Sequence, residues 1–178
     1  MDHADHVRLL RDGVPRTAGT WADLGAGAGA FTLALAELLP PGSFIHAIDK
    51  DAAALRDLEL DYARLARGRE LARIEVRHAD FGRDLGLPPL DGVVMANSLH
   101  FMKQKEPVLA RVRAMLRPGG ILLLVEYDVD TGNPWVPYPL SFATWQRLGV
   151  AAGFAEPRLL TTTKSRFLRQ IYSASTNA

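Results

Sequence analysis

Four polar side chains stand at or near the ends of short apolar runs in this chain, and their types suit one polar ligand. Asp23, Asp49 and Asp80 belong to the first three runs, and Asn97 follows the fourth. Carboxylates and amides accept hydrogen bonds from hydroxyl and amine groups, and carboxylates also attract cations. The four residues therefore predict a site for a ligand with hydroxyl groups, an amine and positive charge.

A glycine-rich segment, DLGAGAGA, begins at Asp23. Glycine has no Cβ, so backbone N–H groups at Gly25 and Gly27 can approach a ligand closely, and the helix that follows presents its amino end. Gly25, Gly27 and Ala30 also satisfy the G-x-G-x-x-G/A pattern of dinucleotide-binding loops. The segment alone therefore predicts a nucleotide-like ligand without identifying its class.

The charge beside the glycines favours S-adenosylmethionine over a dinucleotide as the ligand. Asp23 would repel a pyrophosphate by roughly a few kcal/mol at an effective dielectric constant near 20. S-adenosylmethionine has no phosphate, and it carries a sulfonium, an ammonium, a ribose diol and an adenine amine. We expect Asp23 to face the ammonium, Asp49 the ribose hydroxyls and Asp80 the adenine amine. Asn97 would lie near the methionine moiety.

The elements that position these residues follow from apolar runs that alternate with segments of helical period. Such alternation indicates right-handed crossovers and a doubly wound, mostly parallel, Rossmann-like α/β sheet, whose carboxyl edge binds ligands. Strands are predicted at Thr20–Leu24, 43–48, Arg73–His78, 92–96 and 121–125, and helices at 6–11, 31–39, 51–66, 106–116 and 141–152.

The last two strand-like segments, 157–163 and 167–174, are separated by about three residues. A parallel crossover needs a dozen residues or more. The sequence therefore predicts an antiparallel hairpin at the end of the chain.

Composition sets further bounds. The 178 residues are 48% hydrophobic and 23% charged with net charge +1, which fits a single domain over 1–178 and makes nucleic acid an unfavoured partner. The absence of cysteine excludes disulfides, Cys-ligated metals and a thiolate nucleophile.

No apolar stretch approaches the roughly 20 residues that span a bilayer, and no secretory signal is evident, so we expect a cytoplasmic protein without a membrane segment. No metal site is expected, and the oligomeric state stays open.

With these motifs the chain resembles the class I S-adenosylmethionine-dependent methyltransferases of the small-molecule type, over about residues 21–128. The matching motifs are WADLGAGAGAF, IHAIDKD, RHADF, LDGVVMANSLHF and LRPGGILLLVEYD. The resemblance implies a seven-stranded sheet of order 3-2-1-4-5-7-6 with the last strand antiparallel. It also implies S-adenosyl-L-methionine as cofactor and S-adenosyl-L-homocysteine as product. The cofactor-binding residues that it implies are Asp23, Gly25, Ala26, Gly27, Asp49, Lys50, Asp80, Phe81 and Asn97.

Two departures from the family's motifs restrict the class of methyl acceptor. The fourth-strand motif lacks the Asn/Asp-Pro-Pro-aromatic signature that the resemblance associates with methylation of nucleobase amines. The absence of cysteine disfavours the Cys-dependent methylation of cytosine carbon and of arsenite. We expect a small, partly apolar metabolite as the acceptor.

Methyl transfer from a sulfonium is an in-line displacement, so most of its catalysis can come from positioning. A hydroxyl or carbon-acid acceptor would gain roughly a hundredfold or more from a general base, and His100 is the candidate catalytic residue. The alternative is that His100 packs under its loop or caps the next helix.

Candidate acceptor-binding residues lie farther along the chain. Glu126 and Tyr127 end the fifth strand and would contact substrate, unless they form a solvated strand end. Trp135 and Tyr138, on the proline-rich loop 131–139, would line the acceptor pocket or else cover the sheet edge.

Two further segments carry charge or imidazole groups. His3, Asp5 and His6 would fold over the cofactor or remain a frayed terminus. The basic residues Lys164, Arg166 and Arg169 would usually form a solvated face.

The sequence thus predicts methyl transfer to a small metabolite. Alternatives are a regulatory or noncatalytic partner module that binds S-adenosylmethionine without turnover, and an NAD-dependent oxidoreductase.

Overall fold

A computed structural model describes residues 1–165 and 167–178 of the chain. Its centre is a seven-stranded sheet of order β3-β2-β1-β4-β5-β7-β6, as the sequence predicts. The strands are β1 (Thr20–Leu24), β2 (Phe44–Asp49), β3 (Arg73–His78), β4 (Leu90–Ala96), β5 (Leu116–Tyr127), β6 (Arg158–Lys164) and β7 (Gln170–Asn177).

Five helices accompany the sheet in the described part of the chain. No helix forms in residues 79–89, between β3 and β4. The helices are α1 (His3–Arg11), α2 (Ala30–Leu38), α3 (Ala52–Leu65), α4 (Glu106–Met115) and α5 (Phe142–Ala151), with a single 3₁₀ turn at Leu99–Phe101.

Strand directions also agree with the prediction. The pairs β1–β2, β1–β4, β2–β3 and β4–β5 are parallel, and β7 runs antiparallel to both β5 and β6. The doubly wound, Rossmann-like fold and the terminal hairpin are confirmed.

The start of β7 differs from the sequence prediction by three residues. The hydroxyl of Ser165 accepts hydrogen bonds from the backbone N–H groups of Phe167 and Leu168, at 3.0 and 3.4 Å. Arg169 follows with a positive φ of 37°. The hairpin turn therefore occupies residues that were predicted as strand, and β7 begins only at Gln170.

Helix α1 begins at His3, three residues before the predicted start. Asp2 accepts a hydrogen bond from the backbone of Asp5, and the side chain of Asp5 accepts from the backbone of Asp2. This reciprocal cap fixes the first turn. The helix packs on α2, so the amino-terminal segment is anchored beside the glycine-rich loop.

The sheet is covered on both faces by apolar side chains. One cluster joins Ala22 and Leu24 to α4 and α5, and the other joins Trp21 to α1 and α2. A Cβ at Gly92 would stand 2.4 Å from the Trp21 ring, so glycine is required for this packing. Among residues 1–165 and 167–178, no helix is both long enough and apolar enough to cross a bilayer.

Candidate functional site

The loop between β1 and α2 is shaped by glycines with positive φ. The values are 85° at Gly25 and 52° at Gly27. A Cβ at Gly25 would stand 2.5 Å from the Cβ of Ser98, whereas a Cβ at Gly27 would meet nothing within 4 Å. Gly25 is therefore needed for packing against the end of β4, and Gly27 faces open space.

Two adjoining cavities meet at this loop and share Gly25, Gly27 and Asn97. The first, of about 510 Å³, lies between the loop, Asp23 and helix α1. The second, of about 590 Å³, lies over the ends of β2, β3 and β4. Together they run along the carboxyl edge of the parallel strands, where ligands bind in open α/β sheets.

Asp49 ties the glycine loop to the end of β2. Its Oδ2 atom accepts a hydrogen bond from the N–H of Gly27 at 2.8 Å, and its Oδ1 atom accepts from the N–H of Asp51 at 2.8 Å. Each carboxylate oxygen has a second lone pair, so Asp49 can still accept from a ligand. The side chain lines the second cavity beside Lys50.

Asp80 and Phe81 line the far side of the second cavity. The Oδ1 atom of Asp80 accepts a hydrogen bond from the N–H of Gly82 at 2.8 Å, which fixes the turn after β3. The ring of Phe81 reaches within 3.3 Å of the position that a Cβ of Gly25 would occupy. The structure thus brings both residues to the same cavity as Asp49.

Asp23 is a buried carboxyl group with a single partner. Its exposed fraction is 1%, and its Oδ2 atom accepts a hydrogen bond from the Thr32 hydroxyl at 2.6 Å. Among the described residues its Oδ1 atom has no partner. Burial raises the pKa of Asp23 to about 7, the hydrogen bond from Thr32 opposes this rise, and the charge of Asp49 adds to it.

Asn97 also carries a buried acceptor without a partner among the described residues. Its backbone has a φ of 52°, in the left-handed region that asparagine adopts more readily than most residues with a Cβ. The backbone N–H donates to the carbonyl of Val125 at 2.8 Å, and the side-chain Oδ1 atom is buried without a partner in the described chain. Asn97 lines both cavities, so its side chain stands where they join.

These residues fit S-adenosylmethionine. A buried oxygen without a partner is costly, and a ligand that donates a hydrogen bond removes that cost. Asp23 and Asn97 each carry such an oxygen and both line the first cavity, where an ammonium group would be a suitable donor. Asp49 and Asp80 place acceptors in the second cavity, where a ribose diol and an adenine amine would meet them.

His100 is held by Glu126 beneath the carboxyl edge. The two carboxylate oxygens of Glu126 accept from the backbone N–H of His100 at 3.0 Å and pair with its Nδ1 atom at 2.8 Å. Both side chains are buried, with exposed fractions of 3% and 0%. His100 lines neither cavity, and the neighbouring Phe101 and Ser98 line the second.

The other predicted acceptor residues, Tyr127, Trp135 and Tyr138, line neither cavity. The ring of Tyr127 lies 5.7 Å from that of His100, and burial raises the pKa of the Tyr127 hydroxyl. The backbone N–H of Tyr138 donates to the carbonyl of His100 at 3.0 Å. Trp135 is 73% exposed and Tyr138 41% exposed. The roles of these residues and of Glu126 in acceptor binding stay predictions.

Two of the three residues predicted to fold over the cofactor, His3 and His6 of α1, line the first cavity together with Met1, and Asp5 does not. The ring of His6 lies 4.7 Å from that of Phe31. Burial lowers the pKa of His6. An acid pair at positions 2 and 5 was the signal that would have placed the helix start here.

Two further outcomes concern individual residues. Thr32, the partner of Asp23, was missed, although it is the only hydroxyl residue in the apolar helix α2. The predicted basic cluster includes Arg166, which lies outside the described residues. Its other members, Lys164 and Arg169, flank the hairpin turn and line neither cavity.

A protein-family model described as a methyltransferase domain matches residues 22–122, more than half of the chain. This match spans β1 to the middle of β5 and includes all nine predicted cofactor-binding residues. A curated relative, the carboxy-S-adenosyl-L-methionine synthase of Chromohalobacter salexigens, is 33% identical over 126 residues. That alignment covers 64% of this chain and 43% of the relative. The chain spans less than half the length of the curated relatives that it matches.

Solved structures share the fold at lower identity. The N-methyltransferase NodS from Bradyrhizobium japonicum, in complex with S-adenosylhomocysteine, has a TM-score of 0.70 and 18% identity, with 98% of this chain and 84% of that chain covered. The CurJ carbon methyltransferase has a TM-score of 0.73 and 22% identity, with 92% of this chain and 49% of that chain covered.

Proposed function

Because this chain belongs to the methyltransferase domain family, we propose that it binds S-adenosyl-L-methionine and catalyses methyl transfer to a small, partly apolar acceptor. The acceptor carries an acidic O–H or C–H group. The observation that carries the proposal is the pair of buried oxygens without partners, on Asp23 and Asn97, beside the cavity at the glycine loop.

The residues of the two cavities divide the binding of the cofactor between them. Asp49 and Asp80 accept from the ribose hydroxyls and the adenine amine in the second cavity, with Phe81 against the base. Asp23 and Asn97 accept from the ammonium end in the first cavity. When bound, the cofactor supplies a methyl group activated by its positive sulfur. The family match and a structural neighbour that holds S-adenosylhomocysteine support this assignment.

His100 is the general base of the proposed reaction. With Glu126 accepting the proton of Nδ1, the second ring nitrogen, Nε2, keeps a lone pair that can take a proton from the acceptor. Among the described residues no hydrogen bond engages Nε2. An acidic O–H or C–H group needs such a base before it can accept a methyl group, and the fold shared with a carbon methyltransferase is consistent with this choice.

The acceptor is proposed to lie over His100, under the aromatic loop. Tyr138, whose N–H contacts the carbonyl of His100, its loop neighbour Trp135, and Phe101, which follows His100, all leave aromatic surface exposed. Aromatic rings on a rigid loop can bind a partly apolar molecule at little entropic cost. This surface supports a small metabolite as the acceptor.

Cofactor binding is tested by calorimetric titration of the purified chain with S-adenosylmethionine and, separately, with NADH. We expect binding of the first compound only. D49A should weaken that binding by about 1–3 kcal/mol, the scale of hydrogen bonds in which one partner is charged. D57A is the matched control, because Asp57 is an exposed acid on α3 that lines neither cavity. Wild-type affinity in D49A, or binding of NADH alone, would refute the assignment.

Turnover is tested by mass spectrometry of the nucleoside product with a panel of small β-dicarbonyl and phenolic acceptors. We expect S-adenosylhomocysteine from the wild type, and a loss of about a hundredfold or more in H100Q with unchanged cofactor affinity. Binding without any product from the panel or from cell extract would favour the noncatalytic module. A carboxylated S-adenosylmethionine would instead indicate the reaction named for the curated relative.

A further inference from the structure

Asp23 and Thr32 form a buried hydrogen-bonded pair that joins β1 to α2. Asp23 is 1% exposed and Thr32 is fully buried, and the hydroxyl of Thr32 donates to one carboxyl oxygen at 2.6 Å. The other oxygen has no partner among the described residues. A carboxyl group in this position is strongly disfavoured as an anion until a cation approaches.

Charged and titratable groups around Asp23 come from three further elements. Asp49 of β2 repels the anion of Asp23. Helix α3 adds Asp61 to the same cavity, and helix α1 adds His3 and His6. None of these groups forms a hydrogen bond with Asp23 among the described residues. Thr32 is therefore the one described side chain that stabilises the Asp23 anion by a direct hydrogen bond.

We propose that Thr32 is a positioning residue of the cofactor site: it holds one oxygen of the buried Asp23 carboxyl so that the other meets the ammonium group. A proton on that carboxyl would then be displaced when the cofactor binds. The inference rests on the proposed function, because it requires a cationic cofactor in the first cavity. The proton leaves the Asp23 carboxyl for the solvent buffer, and the carboxylate pairs with the incoming ammonium. No covalent bond other than that O–H bond breaks.

Burial already raises the pKa of free Asp23 to about 7. Proton release on cofactor binding can therefore be measured near neutral pH. Binding should release roughly nine-tenths of a proton at pH 6 and roughly a quarter at pH 7.5. Affinity for the cofactor should accordingly rise almost tenfold from pH 5 to pH 6 and level off above pH 7. A group that only packed the loop would give neither effect.

The experiment is calorimetric titration with S-adenosylmethionine between pH 6 and pH 7.5, in pairs of buffers with different ionisation enthalpies. The number of protons released follows from the difference in heat between the buffers. The amino group of the cofactor titrates just above this range, so D23N supplies the blank that is subtracted. Excess release in the wild type over D23N is the expected result.

Thr32 is tested by T32V, which keeps the shape of the side chain and removes the donor. The pKa of Asp23 should then rise further, because the hydrogen bond from Thr32 lowers it. Proton release at pH 7.5 should therefore exceed that of the wild type, and affinity at pH 6.5 should fall severalfold. T32S should restore the wild-type profile. T176V is the matched control, because Thr176 is a buried hydroxyl that contacts the backbone of Ala155 away from both cavities. T32A replaces T32V if the valine variant does not fold.

The outcomes separate the inference from the function on which it rests. Cofactor binding with no proton release beyond D23N, or a T32V profile identical to the wild type, overturns the inference and leaves the proposed function standing. Absence of S-adenosylmethionine binding at every pH overturns both.

Discussion

Two buried carboxyl groups, Asp23 on β1 and Glu126 on β5, stand near the carboxyl edge of the same sheet and have different surroundings. Both oxygens of Glu126 accept hydrogen bonds, from the backbone and the ring of His100. Asp23 uses one oxygen for Thr32 and leaves the other without a partner among the described residues. Both side chains are almost completely buried, with an exposed fraction of 0% for Glu126 and 1% for Asp23.

The difference teaches that burial alone does not identify a ligand-binding acid. A buried carboxylate whose lone pairs are engaged holds its neighbours in place, as Glu126 holds His100. A buried carboxyl with a free oxygen costs stability in the free protein, and a ligand can remove that cost. Asp23 is therefore the stronger cofactor-binding candidate, and Glu126 orients the candidate base.

The comparison predicts that removal of Glu126 has the largest effect on folding. E126L leaves two buried donors of His100 without an acceptor, at a cost of about 1–3 kcal/mol each in the free energy of unfolding. Denaturant titration measures this loss.

E126Q is the control for that loss. It retains one carbonyl oxygen as an acceptor and should be less destabilised than E126L. Equal stability of E126L and the wild type would show that Glu126 does not hold His100.

Replacement of Asp23 should change the pH dependence of stability. The pKa of Asp23 rises from 3.8 to about 7 on folding, so the folded protein binds this proton more tightly than the unfolded chain. The free energy of unfolding therefore falls as the pH rises from about 4 to about 7, and this contribution is constant above that range.

D23N removes this contribution. Between pH 5 and pH 8 the stability of D23N relative to the wild type should rise by roughly 2–3 kcal/mol. Urea titrations at the two pH values measure the change, with D57N as the control for an exposed acid. A relative stability that does not vary with pH would remove the distinction between Asp23 and an ordinary surface carboxylate.

The smallest effect on folding is expected at the aromatic loop near His100. W135A should change the free energy of unfolding by no more than about 0.5 kcal/mol, because Trp135 is 73% exposed. It should raise the KM for the acceptor severalfold and leave cofactor affinity unchanged. Steady-state kinetics with a confirmed acceptor, alongside cofactor titration, check both statements. Unchanged acceptor kinetics would remove Trp135 from the acceptor pocket.

Much of the fold was predictable because its signals are local. Apolar runs that end in polar residues located β1 to β5, and the short spacing of the last two segments located the β6–β7 hairpin. The largest boundary error is at β5, which begins at Leu116 and not at residue 121. Two others fell where side chains cap the backbone. Ser165 extends the hairpin turn, and the reciprocal cap of Asp2 and Asp5 starts α1 three residues early. Such hydrogen bonds have little effect on the spacing of apolar residues from which the elements were predicted.

That the predicted cofactor-binding residues come together was predictable to a similar degree, because parallel strands bring their carboxyl ends to one edge. The glycine loop, Asp49, Asp80 and Asn97 line adjoining cavities for that reason. The pairs His100–Glu126 and Asp23–Thr32 were not predicted. The first joins residues 26 positions apart on different elements, and the second depends on how α2 folds back against β1.

The amino-acid sequence by itself determined the order of the elements, the glycine loop and the acids at the strand ends, since each depends on residue type and spacing along the chain. Only the tertiary structure decided which buried carboxyl group is satisfied and which is not. That distinction depends on distances of about 3 Å between side chains from separate elements, and packing of the helices against the sheet sets those distances.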